Sequence, residues 1–485
     1  MVRGLILSTI AQILYTLSAM GIHFWLGREL GRAAYGDAVV VLSTATVTCL
    51  VLKNGMREAT SRCAATNPHR QSGVYLAAMK VQVPLSLCVA AAVFFGSDLI
   101  AAQLNDMSLS VYLKIIALQA PGMAMYYLSY GFLGGRKQFG RQTLLTGTYA
   151  ALRVAFIVGL VLMGFGITGF AAGVVVTASL TALLGLVLSL NAGRARALAV
   201  GPLLKLAVPI AIFFASVALL MHIDILMLKR LCPSAAAVGD YGAAGTFARA
   251  PFFLLSAFYG VLLPLVASAY AAKNSELVRE YISMAVRYLL VVLVPTLALL
   301  SSSATDVIVF FYGSRFAAAG GPLSILCIGT GFLLLTVQLL TVLQAAGRPI
   351  SGTILMIALL PVDVALCAVL IPNYGGMGAA LATTITAGLG FAAAAGLVFV
   401  TFKALPPLRS VANVAVSSAV VYGLGRMFRA QGPLLPVMIL VLGVLYLLCL
   451  LAVRELSLRD WRVLKQIFVL PGQDASGAVS NEETL

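Results

Sequence analysis

Charge is what this 485-residue chain has least of: Asp, Glu, Lys and Arg make up 10% of it, against 61% hydrophobic residues. With a mean hydropathy of +1.02, most of its surface must be solvated by lipid rather than water. Histidine is scarce at 3 residues, no Asp-x-Asp pair occurs, and the polar segments between apolar runs are short. A membrane-embedded glycan polymerase or glycosyltransferase, which needs catalytic groups on substantial loops, is therefore disfavoured, and the chain is not expected to be an enzyme. No Gly-x-x-x-x-Gly-Lys-Ser/Thr segment is present, so it does not hydrolyse ATP on a phosphate-cradling loop. The 7 cysteines are scattered, mostly within apolar runs, and form no Cys-x-x-Cys pair, a pattern of packing residues rather than of a disulfide framework or metal site. No metal and no cofactor are expected.

What is abundant is apolar sequence in runs of roughly 20 residues, enough to cross about 30 Å of hydrocarbon. Breaks at Gly, Pro and charge clusters divide the chain into about fourteen spans. They fall near 5–27, 36–56, 74–96, 110–133, 143–164, 168–190, 203–228, 241–266, 282–304, 322–345, 350–371, 377–402, 411–428 and 434–453. The first is too long for the apolar core of a cleaved signal and reads as a retained span. Lys and Arg concentrate on the N-terminus, the even-numbered loops and the C-terminus, so the positive-inside rule places both termini in the cytoplasm. Because the net charge of +16 is spread through short loops, anionic lipid and an anionic cargo are expected as partners, and nucleic acid is not. The stretch 454–468, with Arg454, Arg459, Trp461, Arg462, Lys465 and Phe468, reads as an interfacial helix, and 471–485 as a disordered acidic tail.

An internal repeat organises the spans. Tyr35-Gly36-Asp37-Ala38 matches Tyr241-Gly242-Ala243-Ala244, Gly140-Arg141 matches Gly347-Arg348, and Gly166-Ile167-Thr168-Gly169 matches Gly375-Gly376-Met377-Gly378, in one order and at nearly one offset. The period holds six spans, an even number, so the two copies share a topology and are related by an axis along the membrane normal. The expected fold is an all-α polytopic membrane protein with about fourteen spans: two six-helix lobes around a central cavity and two further helices. Its parts are a first lobe at 1–200, a second at 201–405, the additional spans at 406–453 and the cytoplasmic segment at 454–485. Two lobes around a cavity suit alternating access.

Several segments resemble one family. "LIPNYGGMGAALATT" (370–384), "HIDILMLKRLCPSAAAVGDYGAAGTFARAP" (222–251), "YGSRFAAAGGPLSILCIGTGF" (312–332), "QAAGRP" (344–349) and "LGRELGRAAYGDAVV" (26–40) are similar to the polysaccharide-transporter branch of the multidrug/oligosaccharidyl-lipid/polysaccharide exporter superfamily. The resemblance covers nearly the whole chain through degenerate, mostly structural motifs. It implies a flippase moving an undecaprenyl-diphosphate-linked oligosaccharide from the cytoplasmic to the periplasmic leaflet of a bacterial inner membrane, for exopolysaccharide, capsule or O-antigen assembly, alongside a polysaccharide polymerase and other assembly proteins. Two alternatives share the fold: a cation-coupled multidrug exporter, and a flippase of the peptidoglycan lipid precursor. Against the latter, flippases of that precursor carry arginines and an acid in the first span, and the span read here at 5–27 has none.

Ionisable groups near the bilayer centre each cost roughly 2.5–3.5 kcal/mol on insertion scales, so every one needs a partner, water or a function. Arg249, a fixed cation with a planar donor fork, suits a diphosphate or acidic sugar. Arg153, Arg57, Lys80 and Lys114 complete the candidate substrate contacts, although Lys80 and Lys114 lie near span ends where snorkelling also explains them. Asp224, Asp363 and His222 are the candidates for coupling to a proton or sodium gradient, each with a structural alternative. His222 and Asp224 lie about 200° apart around a helix and should serve different surfaces; packing is the simpler role for His222. Arg153 and Asp363 fall at nearly equivalent repeat positions, and either a cross-lobe latch or separate neutralisation in each lobe is compatible with that. Lys229 and Arg230 read as outer boundary anchors, and Pro209, Pro295 and Pro361 as interruptions of their spans.

Overall fold

The computed structural model describes residues 2–190, 199–255, 258–404, 407–428, 430, 432–453 and 455, with the side chains of 2–10, 258–264 and 349 not described. The interfacial helix and tail expected beyond Glu455, and Arg454, lie outside these residues. The described chain is helical throughout, with no strand among the described residues. Eight helical runs are individually long and apolar enough to cross a membrane, nine with the bent pair Ala11–Thr48 and Leu50–Thr66. The rest of the fourteen crossings are made by broken helices, by helices that double back, or by a less apolar one.

The first lobe runs α1 (Val2–Thr48), α2 (Leu50–Thr66), α3 (Gln71–Gln103), α4 (Leu109–Ala117), α5 (Gln119–Gly135), α6 (Phe139–Leu160) and α7 (Gly166–Leu190). Two of its turns are hidden inside apparently continuous helix. At Gly31 the backbone takes φ 75°, ψ 174°, a left-handed conformation that only glycine adopts cheaply. The chain folds back there, bringing His23 Nδ1 to 3.1 Å from Tyr35 Oη; twelve residues of straight helix would hold them about 18 Å apart. At Gly164 and Gly166, again with positive φ, α6 and α7 form a hairpin in which Gly169 meets Leu160, Gly173 meets Ile157 and Gly185 meets Leu145.

The second lobe comprises α8 (Val200–Leu220), α9 (Ile223–Leu231), α10 (Ala235–Ala248), α11 (Ala250–Leu255), α12 (Phe258–Ala271), α13 (Ser275–Ser302), α14 (Ala304–Tyr312), α15 (Gly320–Ala345), α16 (Pro349–Tyr374) and α17 (Gly376–Phe402). The appended α18 (Leu408–Met427) and α19 (Leu434–Ala452) pack on α13, where Gly425 abuts Ser302 and Tyr446 Oη donates to the Val291 carbonyl at 2.8 Å. Span 7 is therefore α8 plus α9, span 8 is α10 to α12, and span 4 is α4 plus α5.

The duplication is written in the backbone. Gly166 at φ 52°, ψ −131° and Gly375 at φ 54°, ψ −129° make the same turn before α7 and α17. The pair Gly140-Arg141 is not the counterpart of Gly347-Arg348: Gly140 and Arg141 lie inside α6, and the matching turn is at Lys137 (φ 58°) and Gly347 (φ 76°). The prolines also behave differently from their sequence reading. Pro209, Pro295 and Pro361 sit inside uninterrupted α8, α13 and α16, whereas the breaks fall at Cys49, Leu118, Met221-His222, Arg249 and Ser303.

Successive spans alternate direction, so the side on which α1 begins (the near side) also receives α2, α5 and α12. The far side holds the Gly31 and Gly164 turns. A continuous apolar core at the far side includes Leu26, Tyr35, Val39 and Ile116 of the first lobe with Ile225, Phe247, Tyr312 and Phe316 of the second. Backbone contact there is close: a Cβ on Gly239 would lie 1.9 Å from the Arg32 carbonyl oxygen. On the near side, Gly55 of α2 meets Ala207 and Ala211 of α8. The lobes thus touch at both ends.

Candidate functional site

Three groups of polar residues lie along the interface between and within the lobes. The first joins the far ends. Lys229, 7% exposed, donates from Nζ to Asp37 Oδ1 and to Asp106 Oδ2, both at 2.7 Å. Arg32 meets Asp240 through both sides of its fork, with Nε to Oδ1 at 3.0 Å, and Asn105 Nδ2 donates to the Arg230 carbonyl at 2.8 Å. Each crosses from first lobe to second. Lys229 is therefore not a solvent-facing boundary anchor: sequence placed it at the boundary, but two acids from distant segments fold over it. Asp106 lies in the turn outside the spans; burial pushes its carboxyl up, and the bonds from Lys229 and Ser108 outweigh that and hold it below the ordinary range.

The second group is acidic and belongs to the second lobe. Chain breakage at Met221-His222 starts α9 afresh, putting Asp224 in its first turn, where a carboxylate is favoured by the helix dipole. Asp224 is 1% exposed. It accepts from Tyr241 Oη at 2.6 Å and from the Ile225 amide at 2.8 Å, and Arg249 Nη2 lies 3.4 Å from its Oδ1. A cavity of about 10 Å³, room for one water-sized occupant, adjoins Asp224, Arg249, Thr330 and Thr383. Asp363 on α16 is fully buried, near enough to Asp224 for their charges to interact. Neither of its carboxylate oxygens makes a hydrogen bond of good geometry among the described residues; the Thr386 hydroxyl of α17 stands near enough to interact with it, and Thr383 Oγ1 is likewise buried without a partner. His222 points elsewhere, its Nδ1 3.3 Å from Ser43 Oγ of the first lobe, so the two side chains do serve different surfaces.

The third group is basic and aromatic and belongs to the first lobe. Arg153 on α6 donates from Nη2 to the Tyr15 carbonyl and to Ser18 Oγ, both at 2.7 Å, and stands 4.7 Å from the Tyr15 ring centre and 5.4 Å from that of Tyr149. Lys53 lies 5.5 Å over Tyr127, and Arg57 5.9 Å over Tyr130. Close approach of α2 to α5 makes this register: Gly131 and Gly135 admit the backbones of Arg57 and Ser61 where a Cβ would clash. The ion pairs among the described residues are Arg32–Asp240, Arg62–Glu58, Lys114–Asp98, Lys229–Asp37, Lys229–Asp106, Arg249–Asp224 and Arg287–Glu455. None includes Lys53, Arg57 or Arg153. The cross-lobe latch between Arg153 and Asp363 is not formed.

Of the sequence-derived candidates, Arg57 and Arg153 come together in the first lobe, and Asp224, Asp363 and Arg249 in the second. Lys80 is exposed on α3, and Lys114 pairs with Asp98 at 3.1 Å on the exterior; neither joins a cluster. The sequence reading missed Lys53, five tyrosines, His23 and the Lys229 lock. Lys53 and Arg57 one turn apart at the end of an apolar run were the available signal for the first. Among the described residues no group of three or more His, Cys, Asp or Glu could hold a metal. The first span also runs to Gly31, four residues past its expected end, which puts Arg28 and Glu29 on it.

The fold has known counterparts. A polysaccharide biosynthesis protein family model matches residues 1–270, and a MatE family model matches 209–369. None of the curated proteins matches the chain. Among solved structures, the lipid II flippase MurJ in an inward closed conformation is similar at a TM-score of 0.75 and 15% identity, over 94% of this chain and 99% of that one. A multidrug resistance MATE family transporter of the MOP superfamily is similar in its inward-facing conformation (TM-score 0.66, 14% identity, 81% and 98% covered). A multidrug resistance MATE family transporter of the MOP superfamily in an outward-facing conformation is similar too (TM-score 0.60, 16% identity, 85% and 94% covered). At such identities these structures establish the shared fold. The chain belongs to the polysaccharide biosynthesis protein family and is a multi-pass membrane protein.

Proposed function

We propose that the protein flips an undecaprenyl-diphosphate-linked oligosaccharide from the cytoplasmic to the periplasmic leaflet by alternating access, as a transporter rather than an enzyme. The observation that carries this is the set of three cations, Lys53, Arg57 and Arg153, held in the apolar first lobe with tyrosine rings beside them and no carboxylate. Each unpaired cation costs roughly 2.5–3.5 kcal/mol in hydrocarbon. An anionic head group arriving between them offsets that cost, and the diphosphate is the anion common to lipid-linked glycans. In this reading the near side is the cytoplasm of a bacterial inner membrane, both termini are cytoplasmic, and the lock around Lys229 closes the periplasmic side.

The second lobe supplies the coupling. A buried carboxylate without a partner is tolerated in a membrane only when protonated or neutralised by a cation. In this reading Asp363, with Thr383, Thr386 and the small cavity beside Asp224 and Arg249, exchanges a proton or sodium ion as the lobes rock. A multidrug exporter of hydrophobic cations is one competing reading, and three uncompensated cations would repel its cargo; a flippase of the peptidoglycan precursor is the other, since Arg28 and Glu29 do lie on the first span. The groove of about 660 Å³ lined by Leu290, Leu297, Phe332, Phe391, Val411 and Tyr422 is apolar enough for a lipid chain.

The test is translocation of a fluorescent undecaprenyl-diphosphate disaccharide in proteoliposomes, with Arg153→Gln and Asp363→Asn. We expect both variants to slow flipping, and Asp363→Asn alone to remove dependence on an imposed ion gradient. Wild-type rates in both would reject the assignment.

A further inference from the structure

The acid at the head of α9 and the lysine at its tail sit on one helix of 9 residues. We propose that Tyr241 is the positioning residue that couples them: its hydrogen bond to Asp224 makes the far-side lock respond to neutralisation of that carboxylate by a cation. This inference rests on the reading of Asp224 and Asp363 as the ion site and says how that site acts on the lobes.

α9 is bounded by the break at Met221-His222 and by extended backbone at Cys232 (φ −110°, ψ 119°), so it is a separate short rod, packed against α1, α16 and α17. Asp224 in its first turn and Lys229 in its last are five residues, about 7.5 Å, apart. The neighbouring α10 carries the rest of the second lobe's half of the lock. Asp240 pairs with Arg32 of the first lobe, and the next residue, Tyr241, donates from Oη to Asp224 Oδ2 at 2.6 Å. Arg249, at the end of α10, stands 3.4 and 3.5 Å from the two oxygens of Asp224, too long for a strong bond. Tyr241 is therefore the principal tie between the two helices that hold Lys229 and Asp240. An O–H bond of this length to a carboxylate is charge-assisted and roughly twice as strong as one to a neutral acceptor. A proton or sodium ion on Asp224 withdraws that charge. The tie weakens, α9 and α10 are no longer held in one register, and the contacts to Asp37, Asp106 and Arg32 loosen together. By linkage, opening of the lock favours loading of the site by the same factor.

The duplication separates this role from packing. Tyr35 and Tyr241 occupy one repeat position and are the two largest fully buried side chains among the described residues, each 0% exposed. Each hydroxyl reaches the ionisable residue of the preceding span: Tyr35 Oη lies 3.1 Å from His23 Nδ1, as Tyr241 Oη lies 2.6 Å from Asp224 Oδ2. Each tyrosine has an acid of the far-side lock within two residues, Asp37 in the first lobe and Asp240 in the second. Phenylalanine would fill either space with no hydroxyl to satisfy, yet both lobes keep tyrosine with the same connection. In the second lobe the residue it reaches is a carboxylate, so that lobe is the one that senses a cation.

The experiment reads the far side by pulsed electron resonance between spin labels at Met107 and Pro233, in full-length protein in nanodiscs on a background without the native cysteines. The proteins are wild type, Asp224→Asn, Tyr241→Phe, the two together, and Tyr35→Phe with and without Asp224→Asn. Asparagine fixes the neutral state with no change of pH or salt. We expect Asp224→Asn and Tyr241→Phe each to raise the open-to-closed ratio at least fivefold, and the double variant to differ from either by less than twofold, because both act on one tie. In the Tyr35→Phe protein Asp224→Asn should keep its full effect. A hydroxyl with a purely structural role would lower the thermal unfolding midpoint of Tyr241→Phe and leave its distances at wild type. Wild-type distances in either single variant, or effects that multiply in the double variant, overturn the coupling. Flipping of the fluorescent lipid-linked disaccharide by wild type is measured separately: its absence overturns the flippase reading, whereas loss of the coupling alone leaves that reading standing.

Discussion

Replacing Lys229 by Met should open the far side. The substitution keeps the length of the side chain and removes two charge-assisted bonds of 2.7 Å, to Asp37 and Asp106. Charged hydrogen bonds contribute about 1.5–3 kcal/mol each. The two acids are 19% and 26% exposed, so water and salt screen the pair and a combined loss of about 2–4 kcal/mol is the reasonable range. Only the closed state makes these contacts, so the whole loss enters the equilibrium and moves the closed-to-open ratio by about 30- to 1,000-fold. Spin labels at Met107 and Pro233, one at each lobe's far end, report this by pulsed electron resonance distances on a background without the 7 native cysteines. We expect a long-distance population in Lys229→Met that is minor in wild type. Identical distance distributions would refute the lock. The pH dependence has a definite sign. Asp106 is held below its ordinary value, so its contribution is complete above the unfolded carboxylate pKa of about 3.9. It is lost only as pH falls through the lowered value, so between pH 5 and 8 the Asp106 contribution to closure should not change.

Other perturbations read other parts. Gly239→Ala places a Cβ 1.9 Å from the Arg32 carbonyl, a backbone atom that cannot turn aside, so the same labels should show far-side opening without any loss of charge. Arg153→Gln forfeits a cation at the rings of Tyr15 and Tyr149; a 10- to 150-fold loss in affinity for a lipid diphosphate corresponds to about 1.5–3 kcal/mol and is measurable by titration in nanodiscs. Glu455→Gln weakens its bonds to Arg287 Nε (2.8 Å) and Asn413 Nδ2 (2.9 Å), which tie the end of α19 to α13 and α18. Thermal unfolding in detergent should show a loss of about 1–3 kcal/mol, with flipping at permissive temperature little changed.

Much of the architecture was legible because lipid imposes a simple rule on sequence: apolar runs of fixed length, basic loops on one side, and a repeat. The Gly166 and Gly375 turns, matched in sequence, adopt nearly one backbone conformation. The Gly140 pairing failed because a glycine in a helix and a glycine in a turn look alike as letters; Lys137 and Gly347 share the turn without sharing a residue type. Proline misled in the same way, since helices in a packed bundle accommodate it, while the real breaks at Cys49 and His222 carry no proline. Asp224, Asp363, Arg57 and Arg153 could be singled out because burying charge is costly wherever it occurs. Their partners could not. The Lys229 lock joins residues 123 and 192 positions away, and the tyrosines become a cluster only when spans 1, 4 and 5 are packed together.

The central claim is that the unpaired cations of the first lobe carry an anionic lipid-linked glycan across the membrane. The most direct measurement is the initial flipping rate of a fluorescent undecaprenyl-diphosphate disaccharide in proteoliposomes, for wild type and for a protein with Lys53→Met, Arg57→Met and Arg153→Met together. Wild type should flip the lipid and the triple variant should fall at least 100-fold, while both retain the same far-side distances between spin labels. Flipping by the triple variant at the wild-type rate would contradict the claim.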